Sequence, residues 1–119
     1  MLINGQFVNS ADGRTFETIN PATEEIITNV QMAGTEDVDR AVAAAREAFD
    51  NGPWRRMLPR ERGQLLYKLA DLIEKHTDEL AELESLDNGK ALAFSKGFDL
   101  DITVKGYRYM AGWADKLAG

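Results

Sequence analysis

The sequence predicts an α+β fold in which amino-terminal β-hairpin and meander strands precede three helices. Strand-type alternation and turn residues are confined to residues 1–33, whereas apolar residues recur at helical spacing through residues 34–119. The length of 119 residues suits one compact domain rather than two. We therefore expect a strand part, 1–33, and a helical part, 34–119, that together form one unit.

The first third of the chain carries the turn signals of short antiparallel strands. Asn4 and Gly5 stand between two apolar pairs, which is a strong hairpin signal because both turn positions need a positive φ. A run that favours β-structure follows at 15–19, and Pro21 interrupts it because proline cannot donate to a strand ladder. A further strand is predicted over 25–31, which completes the hairpin and meander.

Three segments downstream repeat apolar residues at helical spacing. The first helix is predicted to start from Thr35 as its N-cap, with acidic residues in the first turn. The second is predicted as one long helix over 60–87, with Pro59 at its start and Gly89 at its carboxy-terminal cap. The third is predicted over roughly 98–117.

The third predicted helix is apolar on two nearly opposite sides. A helix that is apolar around most of its circumference is typically buried on both sides, and the rest of this chain can cover only one. We therefore expect one stripe to pack within the chain and the other to remain for a partner. The first stripe comprises Leu100, Val104, Tyr107, Ala111 and Ala114, and the second comprises Phe98, Ile102, Tyr109, Trp113 and Leu117.

The composition excludes several kinds of function. Lys and Arg number 14 against 20 Asp and Glu, a net charge of −6, which is the opposite of what a general nucleic-acid binder needs. There is no Cys, which excludes disulfides, Cys-ligated metals and a thiolate nucleophile within these residues. No apolar run is long enough to cross a bilayer, and the first residues do not resemble a signal peptide. We expect a cytoplasmic chain that binds neither nucleic acid nor membranes.

Asp87 is the acidic residue that best qualifies as a site candidate. It lies at the carboxyl end of the predicted 60–87 helix, close to the axis of the apolar face. The helix dipole and desolvation both disfavour an anion there, so the carboxylate requires a compensating cation, an Arg or several backbone donors. The residues leave open the alternative of a loop carboxylate that turns outward to solvent.

A series of short sequence blocks runs in order through nearly the whole chain. The blocks are Ile3-Asn4-Gly5 with Phe7-Val8, Asn20-Pro21-Ala22-Thr23, Asp37-Val38-Asp39-Arg40-Ala41-Val42, Pro53-Trp54-Arg55-Arg56, Leu69-Ala70-Asp71-Leu72-Ile73-Glu74, Glu84-Ser85-Leu86-Asp87-Asn88-Gly89-Lys90 and Ala111-Gly112-Trp113-Ala114-Asp115-Lys116. In this order and spacing they resemble the amino-terminal part of the aldehyde dehydrogenase superfamily, whose members oxidise aldehydes to acids with NAD or NADP. The resemblance implies a partial piece of the aldehyde dehydrogenase α/β fold, in which these strands and helices flank the coenzyme-binding domain.

The resemblance also implies two sites at the positions that match the family's motifs. Some members bind a monovalent cation, and the matching positions are the Asp87 carboxylate with the backbone carbonyls of Thr18 and Ile19. The segment that opens the last helix helps to line the substrate tunnel in relatives, and the matching positions are Phe98 and Ile102. Their apolar character suits a tunnel for aldehydes, although packing in a core requires the same chemistry.

No catalytic or cofactor-binding residue is assigned within the chain. In the family the nucleophile is a Cys, the general base is a Glu, and an Asn with a backbone N–H holds the oxyanion. All of these lie beyond the part of the family that this chain resembles. The ten glycines never occur as Gly-x-Gly, so no dinucleotide fingerprint is present. NAD or NADP is therefore implied for the longer family members and no cofactor for these residues.

Two functions agree with the sequence. In the first, the chain is an amino-terminal segment of an aldehyde dehydrogenase that is inactive alone, and its partner is the remainder of the subunit or a second copy in a homo-oligomer. In the alternative, it is a non-catalytic truncated domain that self-associates or binds a partner through its last helix. The second apolar stripe of that helix motivates both, because it leaves apolar surface to be covered.

Overall fold

The computed structural model describes residues 1–116, and they group into two compact units. The first unit comprises Met1–Ile19 with Glu24–Arg56, and the second comprises Asn20–Thr23 with the residues from Met57 onward. The predicted division after residue 33 separates strands from helices and stays a prediction. The compact units instead place the first helix together with the strands.

Two antiparallel strand pairs lie in the first unit. Strand β1 (Leu2–Ile3) pairs with β2 (Gln6–Phe7), and β3 (Thr15–Ile19) pairs with β4 (Ile26–Gln31). The two-residue turn of the first pair has φ values of 51° and 74°, which asparagine and glycine adopt most readily. The predicted antiparallel hairpin strands are confirmed as two separate pairs rather than one continuous meander, and with the helices that follow they form the predicted α+β arrangement.

Helix α1 (Thr35–Asn51) begins one residue earlier than the sequence predicts. The prediction of Thr35 as N-cap is wrong, because Gly34 occupies that position. The cause is the carboxylate of Asp37 in the first turn, which accepts the N–H of Gly34 at 3.0 Å and the N–H of Ala11 at 3.0 Å. The backbone N–H of Gly34, the N-cap residue, is thus satisfied by a side chain from the first turn of the helix.

Prolines stand at the start of two helices. The short helix α2 (Pro53–Arg56) forms in the connector after α1, where the sequence predicted no helix. In the second unit, α3 (Pro59–Lys75) begins at the predicted proline. Proline suits the first helical position because its missing N–H has no intrahelical partner there.

The prediction of a single helix over 60–87 is wrong, because two helices occupy this segment. Helix α4 (Thr77–Asn88) follows α3 after a one-residue interruption at His76, whose φ is −103° and ψ 21°. The Thr77 hydroxyl donates to the carbonyl of Glu74 at 2.8 Å. Local bonds of this kind from Ser or Thr compete with regular helix geometry, and apolar periodicity does not register them.

The last helix is continuous but contains a π-helical turn. It consists of α5 (Leu92–Phe94), the π turn (Ser95–Leu100) and α6 (Asp101–Trp113). It thus begins before the predicted start near residue 98, at an N-cap, Ala91, that has no capping side chain to signal it. The predicted end at Leu117 lies outside the described residues. In residues 1–116, no helix combines the length and the apolar character that crossing a membrane requires.

Helices α3 and α6 pack side by side in the second unit. The buried apolar side chains among the described residues are small ones, namely Ala70, Ala81, Val104 and Ala111. A Cβ atom added to Gly63 of α3 would lie 2.8 Å from the carbonyl oxygen of Ala111. Glycine at this position therefore permits the close approach of the two helices.

Candidate functional site

The two apolar stripes of the last helix have opposite environments. Of the first stripe, Val104 and Ala111 are only 6% and 5% exposed, because they lie where α6 packs along α3. The described members of the second stripe are between 45% and 61% exposed. The predicted difference between the two faces holds for these residues, although Tyr107 of the first stripe is itself 37% exposed. The exposed members of the second stripe are Phe98, Ile102, Tyr109 and Trp113.

Phe98 and Ile102, the two predicted tunnel residues, lie on an exposed apolar row that also includes Phe94. The rings of Phe94 and Phe98 are 4.9 Å apart and tilted by 33°, and all three side chains are about half exposed. In an α-helix, residues eight positions apart are rotated by about 80° relative to each other. The π turn has more residues per turn and reduces that drift. We call Phe94, Phe98 and Ile102 the aromatic row. A spacing of four residues could have identified Phe94 from the sequence, but Phe94 precedes the start of the predicted helix.

Side chains from α4 and the loop after it hold the π turn. Ser95, the first residue of the π turn, is fully buried, and its Oγ accepts a hydrogen bond from the Ser85 hydroxyl at 3.1 Å. Lys90 Nζ donates to the carboxylate of Asp99 at 2.8 Å, and this bond raises the pKa of Lys90 because it favours the charged form. Sequence reasoning missed the serine pair, since two serines ten residues apart carry no signal of contact.

Arg108 fastens α6 to α3 through two carboxylates. Its guanidinium donates to Asp71 and to Glu74, each at 2.7 Å. These bonds raise the pKa of Arg108 above its ordinary value and lower the pKa of Glu74, because each favours the ionised form. The two carboxylates are largely open to solvent and Arg108 is about one-third exposed, so we expect each ion pair to stabilise the helix pair only modestly.

The three residues of the predicted cation site lie in different units. Asp87 is exposed in the last turn of α4, which Gly89 ends with a φ of 77°, as predicted. A Cβ on this glycine would lie 2.9 Å from the ring of Pro21, so the segment Asn20–Thr23 contacts this end of α4. Thr18 and Ile19 end β3 in the first unit, where the pairing with β4 shifts register between them. The cation site stays a prediction.

The second unit also carries an apolar groove, and the described residues contain no cluster of metal-binding side chains. In the part of the chain that the structure describes, no three His, Asp or Glu side chains gather closely enough to hold a metal ion. An open apolar groove of about 300 Å³ lies between α3 and α6. The groove is lined by Leu66, Thr103, Gly106, Tyr107 and Met110.

Known proteins match the chain along its whole length. The model of the "Aldehyde dehydrogenase family" matches residues 7–119. An aldehyde dehydrogenase of Alternaria alternata is 55% identical over 119 residues, which are 100% of this chain and 24% of that protein. The mitochondrial aldehyde dehydrogenase family 2 member B4 of Arabidopsis thaliana is 50% identical, over 100% of this chain and 22% of that protein.

Solved structures match the fold equally well. The NAD+ complex of an aldehyde dehydrogenase from Bacillus cereus superposes with a TM-score of 0.97 at 55% identity, over 100% of this chain and 24% of that chain. The chain thus spans about a quarter of the length of these relatives, and the matching part is their amino-terminal portion. From the family model and these similarities, the chain belongs to the aldehyde dehydrogenase family.

Proposed function

We propose that this chain serves as the amino-terminal segment of an NAD- or NADP-dependent dehydrogenase that oxidises an aldehyde to an acid, and that the segment is inactive by itself. The observation that carries the proposal is the family match over residues 7–119 in a chain that spans 24% of its relatives' length. The uncovered stripe of the last helix supports it, because apolar surface of this kind marks a contact with another surface.

In the proposed enzyme, Phe98 and Ile102 form part of the wall along which the aldehyde approaches. Half-exposed apolar side chains bind the hydrocarbon part of a substrate and exclude water from it. The nicotinamide cofactor, when it is bound, accepts hydride. The 119 residues contain no Cys, so a thiol nucleophile of the family's kind has to come from outside them.

A monovalent cation at Asp87, with the carbonyls of Thr18 and Ile19, is a second part of the proposal. A carboxylate at the carboxyl end of a helix faces the negative end of the helix dipole, and a cation beside it offsets both charges.

The partner and the cellular location also belong to the proposal. The partner is the remainder of the dehydrogenase subunit or a second copy of the chain, and the surface for it is the second stripe of the last helix. The location that we propose is the cytoplasm. The Arabidopsis relative is named as mitochondrial, so relatives differ in this respect, and fluorescence microscopy of the tagged protein decides the matter.

The alternative function is a non-catalytic domain that self-associates, and the same exposed stripe favours it. Tyr109 and Trp113 contact each other edge to face at 6.2 Å on this face, and aromatic pairs of this kind are common in protein interfaces. The alternative differs from the main proposal in one respect, since it requires no further residues for its function. Its test is the oligomeric state of the chain.

The experiment for the main proposal measures reduction of NAD+ and NADP+ with a series of aldehydes. We expect activity from a dehydrogenase chain that contains this segment and none from the 119 residues alone. Titration calorimetry of the 119 residues with each cofactor should show no tight binding. Aldehyde-dependent reduction by the 119 residues, or micromolar binding of NAD+ to them, would contradict the proposal.

A further inference from the structure

The π turn of the last helix is held by a hydrogen bond between two serines. We propose that Ser95 is a positioning residue that, through Ser85, fixes the π turn and thereby sets the aromatic row for large apolar or aromatic aldehydes. This inference rests on the proposed function. A π turn is rare, occurs mostly as a single turn inside an α-helix and is frequent at functional sites.

Burial makes the serine bond decisive for this geometry. Ser95 is 0% exposed, and no buried side-chain polar atom in the described residues lacks a hydrogen-bond partner. Removing one hydroxyl of the pair deletes the bond and leaves the other without its partner, which is costly away from water. A hydrogen bond to a buried hydroxyl of this kind selects one arrangement of the backbone over close alternatives.

The other side-chain contacts of the π turn are weaker restraints. Two are ion pairs between partly or fully exposed side chains, which contribute little in water and are screened by salt. A third contact, from the Thr103 hydroxyl to the carbonyl of Asp99 at 2.7 Å, restrains the end of the turn rather than its start. The serine pair is therefore the restraint that we expect to fix the start of the turn. The ion pairs are Lys90 with Asp99 and Lys96 with Asp78.

Loss of the serine bond should let the segment relax towards regular α-helix. That change rotates Phe94 and Phe98 relative to Ile102, since the two helix types differ in residues per turn. A large substrate that contacts the whole row loses complementarity, whereas a small one that contacts little of it does not. We expect KM for benzaldehyde to rise about tenfold, because hydrophobic pockets discriminate by about this factor. The kcat with acetaldehyde should remain unchanged.

The experiment compares three single variants and one double variant in a dehydrogenase chain that contains this segment. Ser95→Ala and Ser85→Ala remove the serine bond from either side. Each should raise the KM for benzaldehyde by the same factor, and the double variant should raise it no further. Ser10→Ala is the matched control, because Ser10 is also a buried serine whose hydroxyl donates a hydrogen bond, here to the carbonyl of Arg14 at 2.9 Å. It should lower stability without changing the ratio of the two KM values. Because Ser85 is only half-buried, Ser85→Ala still tests the inference if Ser95→Ala does not fold.

The outcomes separate the inference from the proposed function. Amide hydrogen exchange over residues 95–100 should become faster in Ser95→Ala and stay unchanged in Ser10→Ala. An active wild-type enzyme whose Ser95→Ala variant keeps both KM values, or shifts both equally, overturns the positioning role. A wild-type chain that oxidises no aldehyde overturns the proposed function instead, and the exchange measurement then still reports whether the serine pair holds the turn.

Discussion

The close contact between α3 and α6 at Gly63 gives a prediction whose magnitude follows from geometry. A Cβ at this position would lie 2.8 Å from the carbonyl oxygen of Ala111 and 3.2 Å from the Cβ of Ala114. Because the nearer atom belongs to the backbone of α6, Gly63→Ala has to push the helices apart. Overpacking of this kind costs about 1–3 kcal/mol, and the better helix propensity of Ala returns about 1 kcal/mol at most.

We therefore expect Gly63→Ala to lower the free energy of unfolding by up to about 2 kcal/mol, or by up to roughly 10 °C in Tm. Gly106→Ala is the matched control, because Gly106 lies inside α6 with no atom within 4 Å of an added Cβ. It should raise stability by about 0.5–1 kcal/mol. Urea unfolding followed by circular dichroism measures both. Equal effects of the two substitutions would refute the close approach of the helices.

Three further predictions concern other parts of the chain. The hydrogen bonds to Asp37, first of all from the Gly34 N–H, lower its pKa, so its contribution to stability is full above about pH 3.9 and is lost as the pH falls through the lower folded pKa. Asp37→Asn should reduce Tm at neutral pH and flatten the loss of Tm in acid; an unchanged acid profile would contradict this. Ile102→Ser with Trp113→Ser should reduce self-association and hydrophobic-dye fluorescence of the 119 residues, and a dye-silent wild-type monomer would speak against an exposed stripe. In a chain that contains the whole dehydrogenase, Asp87→Asn should abolish any rise of Tm in K⁺ or Na⁺ over a bulky organic cation, and equal Tm values for the wild type in all three would leave the cation site unsupported.

The sequence predicts best those features that single residues impose on their own backbone. The Asn4-Gly5 turn and the Gly89 cap are examples, since these residues tolerate positive φ wherever they stand. The strand over 15–19 follows from β-propensity and turn residues close by. In each case the determining interaction lies within a few residues of its effect, so periodicity and turn chemistry suffice.

The features that the sequence does not predict depend on distant partners or on competing local bonds. Asp37 begins α1 one residue early partly through the N–H of Ala11, which lies 26 residues away. The interruption at His76 and the π turn hardly change the spacing of apolar residues, so helical periodicity does not reveal them. For the candidate site, the pattern predicts the exposure of Phe98 and Ile102 correctly, but their role follows from family resemblance alone.

The contacts of the last helix also imply an order of assembly during folding. Its π turn is tied to α4 across 10 residues of sequence, through the serine pair, whereas Arg108 ties α6 to Asp71 of α3 across 37. Loop-closure entropy rises with the logarithm of length, and the longer closure costs about 1 kcal/mol more. The lower entropic cost favours early formation of the α4 contact, which would set the backbone of the aromatic row before the α3–α6 pair forms.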